Sequence, residues 1–163
     1  MRFYVLLPEV AGHFGSETIF IDQVARPPIL ARFHYEFEGW QGDPIVETMR
    51  CYIVTKALRD RILSLSPTGV AFLEAKVSKS EEFIERHPNR VLPDFTWLQV
   101  KGAGGLDDFG YTKESGHCIV VSERVLKIIL EVGATFLEAV ELCNWKGAKV
   151  ATLEKIHRLK LRS

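Results

Sequence analysis

Two adjacent aspartates in a glycine-rich segment have the clearest potential for chemistry in this 163-residue chain. Asp107 and Asp108 are followed by Phe109-Gly110, and Asp-Phe-Gly is the triplet that binds magnesium in protein kinases. The other kinase motifs are absent from the sequence, so we reject that interpretation. Adjacent side chains on an extended segment point in opposite directions, whereas catalytic acid pairs converge from separate elements. A turn or a cap is the favoured role, and we expect folding to survive replacement of both aspartates.

Other reactive residue types occur without the spacing that their chemistry requires. The histidines are scattered and show no His-x-x-x-His spacing, so only a metal site assembled in three dimensions stays open. Ser122 ends an apolar run but lacks the Gly-x-Ser-x-Gly elbow of a serine nucleophile. The glycines at 102, 104 and 105 do not fit the dinucleotide-binding pattern. The sequence therefore predicts no catalytic residue, no cofactor and no metal ligand, which favours a protein that is not an enzyme.

An internal repeat organises the elements that carry these residues. Residues 51–77 and 118–141 each contain an apolar run, a hydroxyl residue, a helical pattern and a second apolar run. This order predicts two similar strand-helix-strand units, with hydroxyl N-caps on the helices and buried thiols on the first strands. The matching residues are Cys51 and Cys118, Val54 and Val121, Thr55 and Ser122, Ile62-Leu63 and Ile129-Leu130, and the tetrapeptides Phe72-Leu73-Glu74-Ala75 and Phe136-Leu137-Glu138-Ala139.

The order of apolar runs along the chain predicts an α+β fold. Strand patterns outnumber helical ones and do not alternate strictly with long crossovers, which indicates a mainly antiparallel sheet with a few helices on one side. Leu30 to Phe37 alternates in polarity and predicts a half-buried strand with an aromatic inner face. The length predicts a single domain over residues 1–163. Three cysteines without close spacing do not suggest a disulfide framework.

Charge is balanced overall but unevenly distributed. A net charge of zero argues against a nucleic-acid binder that works through bulk positive charge. Residues 81–144 contain 11 acidic and 6 basic residues, whereas the tail from about residue 145 contains 1 and 6. The basic tail either lies against the acidic middle of the same molecule or meets a partner of opposite sign. Within it, Leu153, Ile156 and Leu159 fit either a short amphipathic helix or an edge strand.

Apolar segments are too short for a membrane span or a secretion signal. No stretch approaches the roughly 18 apolar residues that mark a transmembrane helix. The amino terminus has only a short apolar run before Pro8 and is typical of a first strand. We therefore expect a cytoplasmic protein that does not bind a membrane.

Trp40 lies in a turn with glycines on both sides, at Gly39 and Gly42. An indole in a turn either folds back onto the core or is covered by a partner. Core packing is the favoured alternative, because tryptophan is mainly interfacial when it already lies on an exposed face.

Four short motifs along the chain form a familiar pattern. They are Trp40-x-Gly42-Asp43, Leu92-Pro93-x-Phe95-x-Trp97-Leu98, Asp107-Asp108-Phe109 and Val120-Val121-Ser122. Together they resemble a family of predicted immunity proteins from bacterial polymorphic toxin systems, over roughly residues 1–145. The resemblance implies a cytoplasmic protein that binds a toxin domain, usually encoded beside it, and blocks that toxin, and it supplies no established catalytic residues.

The leading hypothesis is therefore a non-catalytic immunity protein that binds a cognate toxin domain by occlusion. The acidic stretch 81–114 is the predicted contact face, because charge complementarity speeds association with a cationic enzyme. The alternative is a small enzyme or ligand-binding protein with a cleft near Trp40, His34 and Asp107, and a homo-oligomeric structural protein is a third interpretation. The predicted partner-binding residues are Trp40, Asp43, Glu81, Glu82, Glu85, Asp107 and Asp108.

Overall fold

The computed structural model describes residues 1–149, 154, 157, 158, 160 and 161 of the chain. This part contains thirteen strands and three α-helices in mainly antiparallel sheets, which confirms the predicted α+β fold. The α-helices are α1 (Lys56–Leu63), α2 (Glu81–Arg86) and α3 (Glu123–Glu131). The strands are β1 (Phe3–Leu7), β2 (Gly12–Phe14), β3 (Ile19–Asp22), β4 (Ile29–Arg32), β5 (His34–Phe37), β6 (Ile45–Thr48), β7 (Cys51–Thr55), β8 (Val70–Leu73), β9 (Lys76–Lys79), β10 (Phe95–Val100), β11 (Phe109–Gly110), β12 (Val120–Ser122) and β13 (Glu138–Glu141).

Both predicted strand-helix-strand units form, and each is split by a third strand. In the first unit β10 lies antiparallel between β7 and β8, in a sheet ordered β6-β7-β10-β8. In the second unit β1 lies antiparallel between β12 and β13, in a sheet ordered β11-β12-β1-β13. The two units therefore share one topology, but the middle strand follows its unit in the first case and comes from the amino terminus in the second.

Strand register identifies the equivalent residues of the two units. The middle strands place Trp97 between Ile53 and Leu73, and Val5 between Val120 and Val140. With Thr55 and Ser122 aligned as the residues directly before α1 and α3, each first-unit residue is separated from its second-unit equivalent by the same number of positions as Cys51 and Cys118. The predicted match between the two strands is therefore confirmed, but Cys118 lies two residues before β12 and not on it.

The repeated tetrapeptide, in contrast, does not occupy equivalent positions. By register Phe72 in β8 corresponds to Ala139 in β13, whereas the sequence match had paired Phe72 with Phe136. Phe136 lies before β13, because the segment between α3 and β13 is longer than the sequence match implied. This part of the sequence interpretation was wrong.

The two hydroxyl residues at the helix starts also differ in use. Thr55 Oγ1 accepts a hydrogen bond from the Leu58 N–H at 3.2 Å and caps α1 as predicted. Ser122 has the extended backbone of an N-cap, but its side chain makes no capping bond to α3. Its hydroxyl instead donates to Asp108 Oδ1 at 2.7 Å. The predicted Ser122 cap is wrong because a buried carboxylate takes the hydroxyl.

Two cores lie on opposite faces of the β6-β7-β10-β8 sheet. On one face Tyr52, Val54 and Leu98 pack with the apolar sides of α1 and α3, so both units share one core. On the other face the predicted aromatic residues pack their rings, with the Phe37 centroid 5.2 Å from that of Phe95. The prediction of one strand from Leu30 to Phe37 was wrong, because the chain divides there into β4 and β5, which lie in different sheets. This burial of apolar area on both faces is the main stabilising contribution to the fold.

The C-terminal tail makes one described ion pair with the acidic middle of the chain. Arg158 Nη2 lies 3.0 Å from Glu138 Oε1, which agrees with the expectation that the tail lies against its own molecule. Leu153, Ile156 and Leu159, whose pattern left helix and strand open, fall outside the described residues. None of the helices described is long and apolar enough to cross a membrane.

The burial of the equivalent cysteines predicts their reactivity. Cys51 and Cys118 are buried, and burial raises the pKa of the Cys51 thiol to about 12, whereas Cys143 is exposed. Because the thiolate is the reactive form, we expect one thiol to react quickly with Ellman's reagent in the native protein and two more only after unfolding in guanidinium. A Cys143→Ser variant serves as control and should lose the fast phase. Two or more fast thiols in the native protein would contradict the buried positions.

Candidate functional site

Two of the predicted partner-binding residues are buried and join the two units. Asp43 has no exposed surface, and its carboxylate accepts the N–H groups of Thr135 at 2.8 Å and Phe136 at 3.0 Å. Thr135 and Phe136 lead into β13 of the second unit, whereas Asp43 lies just before β6 of the first. Asp43 therefore acts within the fold and cannot present its side chain to a partner.

Asp108 makes the reciprocal connection. It lies just before β11 of the second unit and accepts the Thr68 N–H at 3.0 Å, in the segment that leads into β8 of the first. Its carboxylate also accepts from the Ser122 hydroxyl and bidentately from Arg124, at 2.9 Å from Nε and 2.6 Å from Nη2. The Arg124 hydrogen bonds, with those from Ser122 and Thr68, hold the pKa of Asp108 well below its usual value. The expectation that Asp108 could be replaced without cost to folding is therefore wrong.

Trp40 and Asp107 serve local structure. The Trp40 indole donates to the Asp43 carbonyl at 2.9 Å, and its ring packs edge-on against Phe95 at 5.8 Å. The Arg90 guanidinium covers the ring at 5.0 Å, so the favoured alternative of core packing holds. Asp107 is half-buried and accepts the Ala103 N–H at 2.8 Å, which closes the glycine-rich turn.

The remaining predicted residues lie on α2. Glu81, Glu82 and Glu85 are exposed, and Glu82 pairs with Arg86 one turn later at 2.8 Å. Phe83 alone anchors the helix in the aromatic core, so the acids face outward. This acidic helix surface is open to a partner, and its role in binding stays a prediction.

The alternative cleft near Trp40, His34 and Asp107 is not assembled, because the three side chains make their contacts in different parts of the fold. His34 is buried, and its Nδ1 accepts the Glu17 N–H at 3.1 Å. The neutral ring must then carry its proton on Nε2, which donates to Ser78 Oγ at 2.7 Å. Burial also lowers the pKa of His34. In this tautomer His34 cannot take a proton from Ser78, so the pair cannot work as a serine nucleophile and its base.

A concave site that sequence reasoning missed lies beside the tight turn between β6 and β7. It is a groove of about 690 Å³ between that turn, the segment 23–28 and the turn at residues 116–117. We call it the hairpin groove. The lining residues used below are Val10, Phe14, Phe20, Met49, Arg50 and His117.

The rim of the hairpin groove holds an unusual concentration of backbone strain. Four non-glycine residues have positive φ in the described part of the chain, and three of them are Met49 (47°), Arg50 (65°) and His117 (64°). Met49 and Arg50 form a two-residue hairpin turn, a place where positive φ at both positions normally selects Asn-Gly. Side chains with a Cβ are disfavoured there, and strained residues of this kind cluster at functional sites.

Buried polar groups hold this strained turn in place. Glu47 is only 4% exposed, and its Oε2 accepts from the Arg50 N–H at 3.2 Å and from Arg50 Nη1 at 3.0 Å. The Tyr111 hydroxyl donates to the Arg50 carbonyl at 3.1 Å. Burial raises the pKa of Glu47, and the Arg50 guanidinium opposes that shift. These contacts from the protein interior hold the turn, and with it Arg50, in a fixed position.

Exposed apolar side chains occur in the groove lining and on the β3–β4 hairpin. Met49 is 60% exposed and Val10 68%. Ile21 and Val24, on β3 and in the connection to β4, are 68% and 85% exposed, and the neighbours of Val24 in sequence line the groove. Large exposed apolar patches are typical of interaction sites.

Comparison with known proteins adds no assignment, since no family model and no curated protein matches the chain. Within the described residues, no group of three or more His, Cys, Asp or Glu side chains is placed to hold a metal ion.

Replacing Asp108 with asparagine tests the connection between the units. We expect the free energy of unfolding at pH 7 to fall by about 2 kcal/mol, because hydrogen bonds to an ionised carboxylate are lost. The pKa of Asp108 is lowered in the folded state, so its contribution is present above the ordinary value of 3.8 and is lost as the pH falls below it. The difference between the variant and the unmodified protein should therefore shrink in acid, as measured by urea unfolding at a series of pH values. Asp107→Asn is the control, with a loss of roughly 0.5–1 kcal/mol; equal effects of the two variants would refute the connection.

The strained turn predicts an unusual mutational response at Met49. Glycine adopts positive φ freely whereas alanine does not, so Met49→Gly should be more stable than Met49→Ala by about 1 kcal/mol. Thermal unfolding of the two variants measures the difference. At Leu106, an exposed loop residue whose φ is negative, the same pair of substitutions should not favour glycine. Equal stability of the two Met49 variants would show that the positive φ at this position does not strain the protein.

Proposed function

We propose that this chain is a non-catalytic immunity protein that binds a bacterial toxin domain and blocks it by occlusion, with the hairpin groove at the centre of the contact. The observation that carries the proposal is the gathering of three strained, non-glycine residues on the rim of one apolar groove. The resemblance to immunity proteins of polymorphic toxin systems supplies the class of partner.

The strain supports binding because it fixes the displayed groups before a partner arrives. Arg50 and Met49 adopt a conformation that their own side chains disfavour, and Glu47 and Tyr111 maintain it from the protein interior. A side chain that is already ordered loses less entropy when it enters an interface. Such a turn costs stability in the free protein and contributes affinity in the complex.

The size of the exposed apolar surface also favours a protein partner. A standard interface covers about 800 Å² on each partner, which is more than the groove alone provides. The β3–β4 hairpin adds the exposed Ile21 and Val24, and within the described part of the chain its strands pair only with each other. An apolar centre with surrounding polar residues is the usual arrangement of a specific interface.

The acidic surface of α2 is the second candidate contact. Glu81 and Glu85 are exposed there and would attract a cationic toxin over a distance of about 10 Å at 0.1 M salt. Such long-range attraction mainly raises the association rate, whereas close apolar contacts mainly lower the dissociation rate. The two surfaces can therefore be distinguished by kinetics.

Binding to the toxin domain encoded beside this protein tests the proposal. Co-expression should protect cells from the toxin, and surface plasmon resonance should show that Met49→Asp raises the dissociation rate at least about tenfold, the effect of losing one apolar anchor. Leu106→Asp is the matched control, because Leu106 is an exposed apolar residue in a turn outside the hairpin groove. Lysine at Glu81, Glu82 and Glu85 should instead slow association, and less so as salt rises.

The outcomes separate the parts of the proposal. Death of the cells despite co-expression would contradict the immunity function. Equal dissociation rates for Met49→Asp and Leu106→Asp would remove the groove from the contact, and an unchanged association rate in the triple lysine variant would remove α2.

A further inference from the structure

We propose that the hairpin groove receives, from the partner protein, an apolar side chain that lies next to a carboxylate in the partner's own chain. This inference rests on the proposed function and names the partner chemistry that the groove selects. It follows from three properties of the groove, namely its floor, the sign of its exposed charge and the donors left on Arg50.

The floor of the groove is apolar and fixed. Phe14 and Phe20 pack edge to face with centroids 5.1 Å apart, and Phe14 continues into the aromatic core through Phe33 at 5.6 Å. Pro27 and Pro28 form part of the wall. The volume of about 690 Å³ lies within the range of roughly 300–1,000 Å³ that is usual for binding pockets. A large apolar side chain would enter with little rearrangement.

The exposed charge at the mouth of the groove is positive. Arg26 is exposed, and the Arg50 side chain is 33% exposed. Glu47 is the one acid that lines the groove in the described part of the chain, and it is buried against Arg50. Asp22 is not a lining residue, and its carboxylate accepts the Val24 and Ala25 N–H groups. The lining therefore has two cations, Arg26 and Arg50, against Glu47, and it favours an anion.

Arg50 has donors left for such an anion. A guanidinium carries five N–H groups, and the one side-chain hydrogen bond described for Arg50 runs from Nη1 to Glu47. Glu47 and the strained turn hold this side chain, and 33% of it is exposed, so its other donors are open to a ligand. Arginine recognises carboxylates bidentately, which gives direction as well as charge.

The apolar residues around the mouth favour a protein over a small organic acid. Val24 and Ile21 are exposed beyond the groove, and a ligand small enough to fit inside would leave them in water. A chain that continues from the bound side chain would cover them. The occupant is therefore a segment of a partner protein, with its apolar residue inside and its carboxylate at Arg50 and Arg26.

Three capped tripeptides test this chemistry on the full chain. One has leucine between two glutamates, the second has leucine between two lysines, and the third has serine between two glutamates. In ¹⁵N-HSQC titrations, we expect the first peptide to shift the amide signals of Met49, Arg50, Gly116 and His117 and to bind at least tenfold more tightly than the other two. Equal binding of the three peptides, or shifts elsewhere, would overturn the assignment.

Charge variants connect the groove to its partner. Arg26→Glu should weaken both the acidic peptide and the toxin domain several-fold, whereas Lys127→Glu, an equal charge change on the exposed side of α3, should not. Arg50→Lys keeps a cation beside Glu47 but loses the bidentate geometry, and should weaken the acidic peptide several-fold while the protein stays folded by circular dichroism.

The inference and the proposed function fail in different ways. If the toxin domain binds but Arg26→Glu has no effect, the carboxylate chemistry is wrong and the immunity function stands. If the peptides behave as expected but the toxin domain does not bind, the immunity function is wrong and the groove chemistry stands. If octanoate displaces the acidic peptide and binds more tightly, the groove is a small-anion site and the docking assignment is overturned.

Discussion

The fit between the two split units depends on two buried carboxylates. Asp43 satisfies backbone N–H groups ahead of β13, and Asp108 satisfies those ahead of β8, so each unit supplies the anion that the other requires. A buried amide left without a partner costs about 1–3 kcal/mol, and at Asp43 no exposed surface admits water as a substitute. The hairpin groove depends on these carboxylates as well, since β6, which carries Glu47 to the strained turn, begins directly after the Asp43 segment.

Local pattern was enough to predict the α+β class and the two repeated units. The apolar run after Cys51 and the cap at Thr55 each depend on neighbours in sequence, and each appears in the structure. The alternation before Phe37 predicted the buried rings but not the division into β4 and β5. Strand pairing between residues far apart in the sequence could not be predicted, because nothing local marks β1 as the strand that lies between β12 and β13. The repeated tetrapeptide misled for the same reason, since identical letters do not fix a register that is set by a third strand.

The candidate site shows a different limit of sequence reasoning. Asp43 and Asp108 stand in motifs of the family resemblance and were predicted to contact a partner, yet both are buried and bonded to backbone. The groove was missed because Met49-Arg50 lacks the Asn-Gly signature of its turn, and only the contacts from Glu47 and Tyr111 make that conformation stable. Residues that break a local rule and are held by tertiary contacts are where function is expected, and no local pattern reveals them.

The placement of β1 determines the order in which the chain can fold as it leaves the ribosome. β6, β7, α1, β8 and β10 are consecutive apart from the β9–α2 segment, so the first sheet has all its strands once residue 100 has emerged. The second sheet must wait, because Tyr4 pairs with Val121 and Glu141 across almost the whole chain. Contacts of such long sequence separation form slowly. Strand β1, whose Val5 and Leu6 are fully buried in the folded protein, therefore remains without its partner strands until residue 141 has been synthesised.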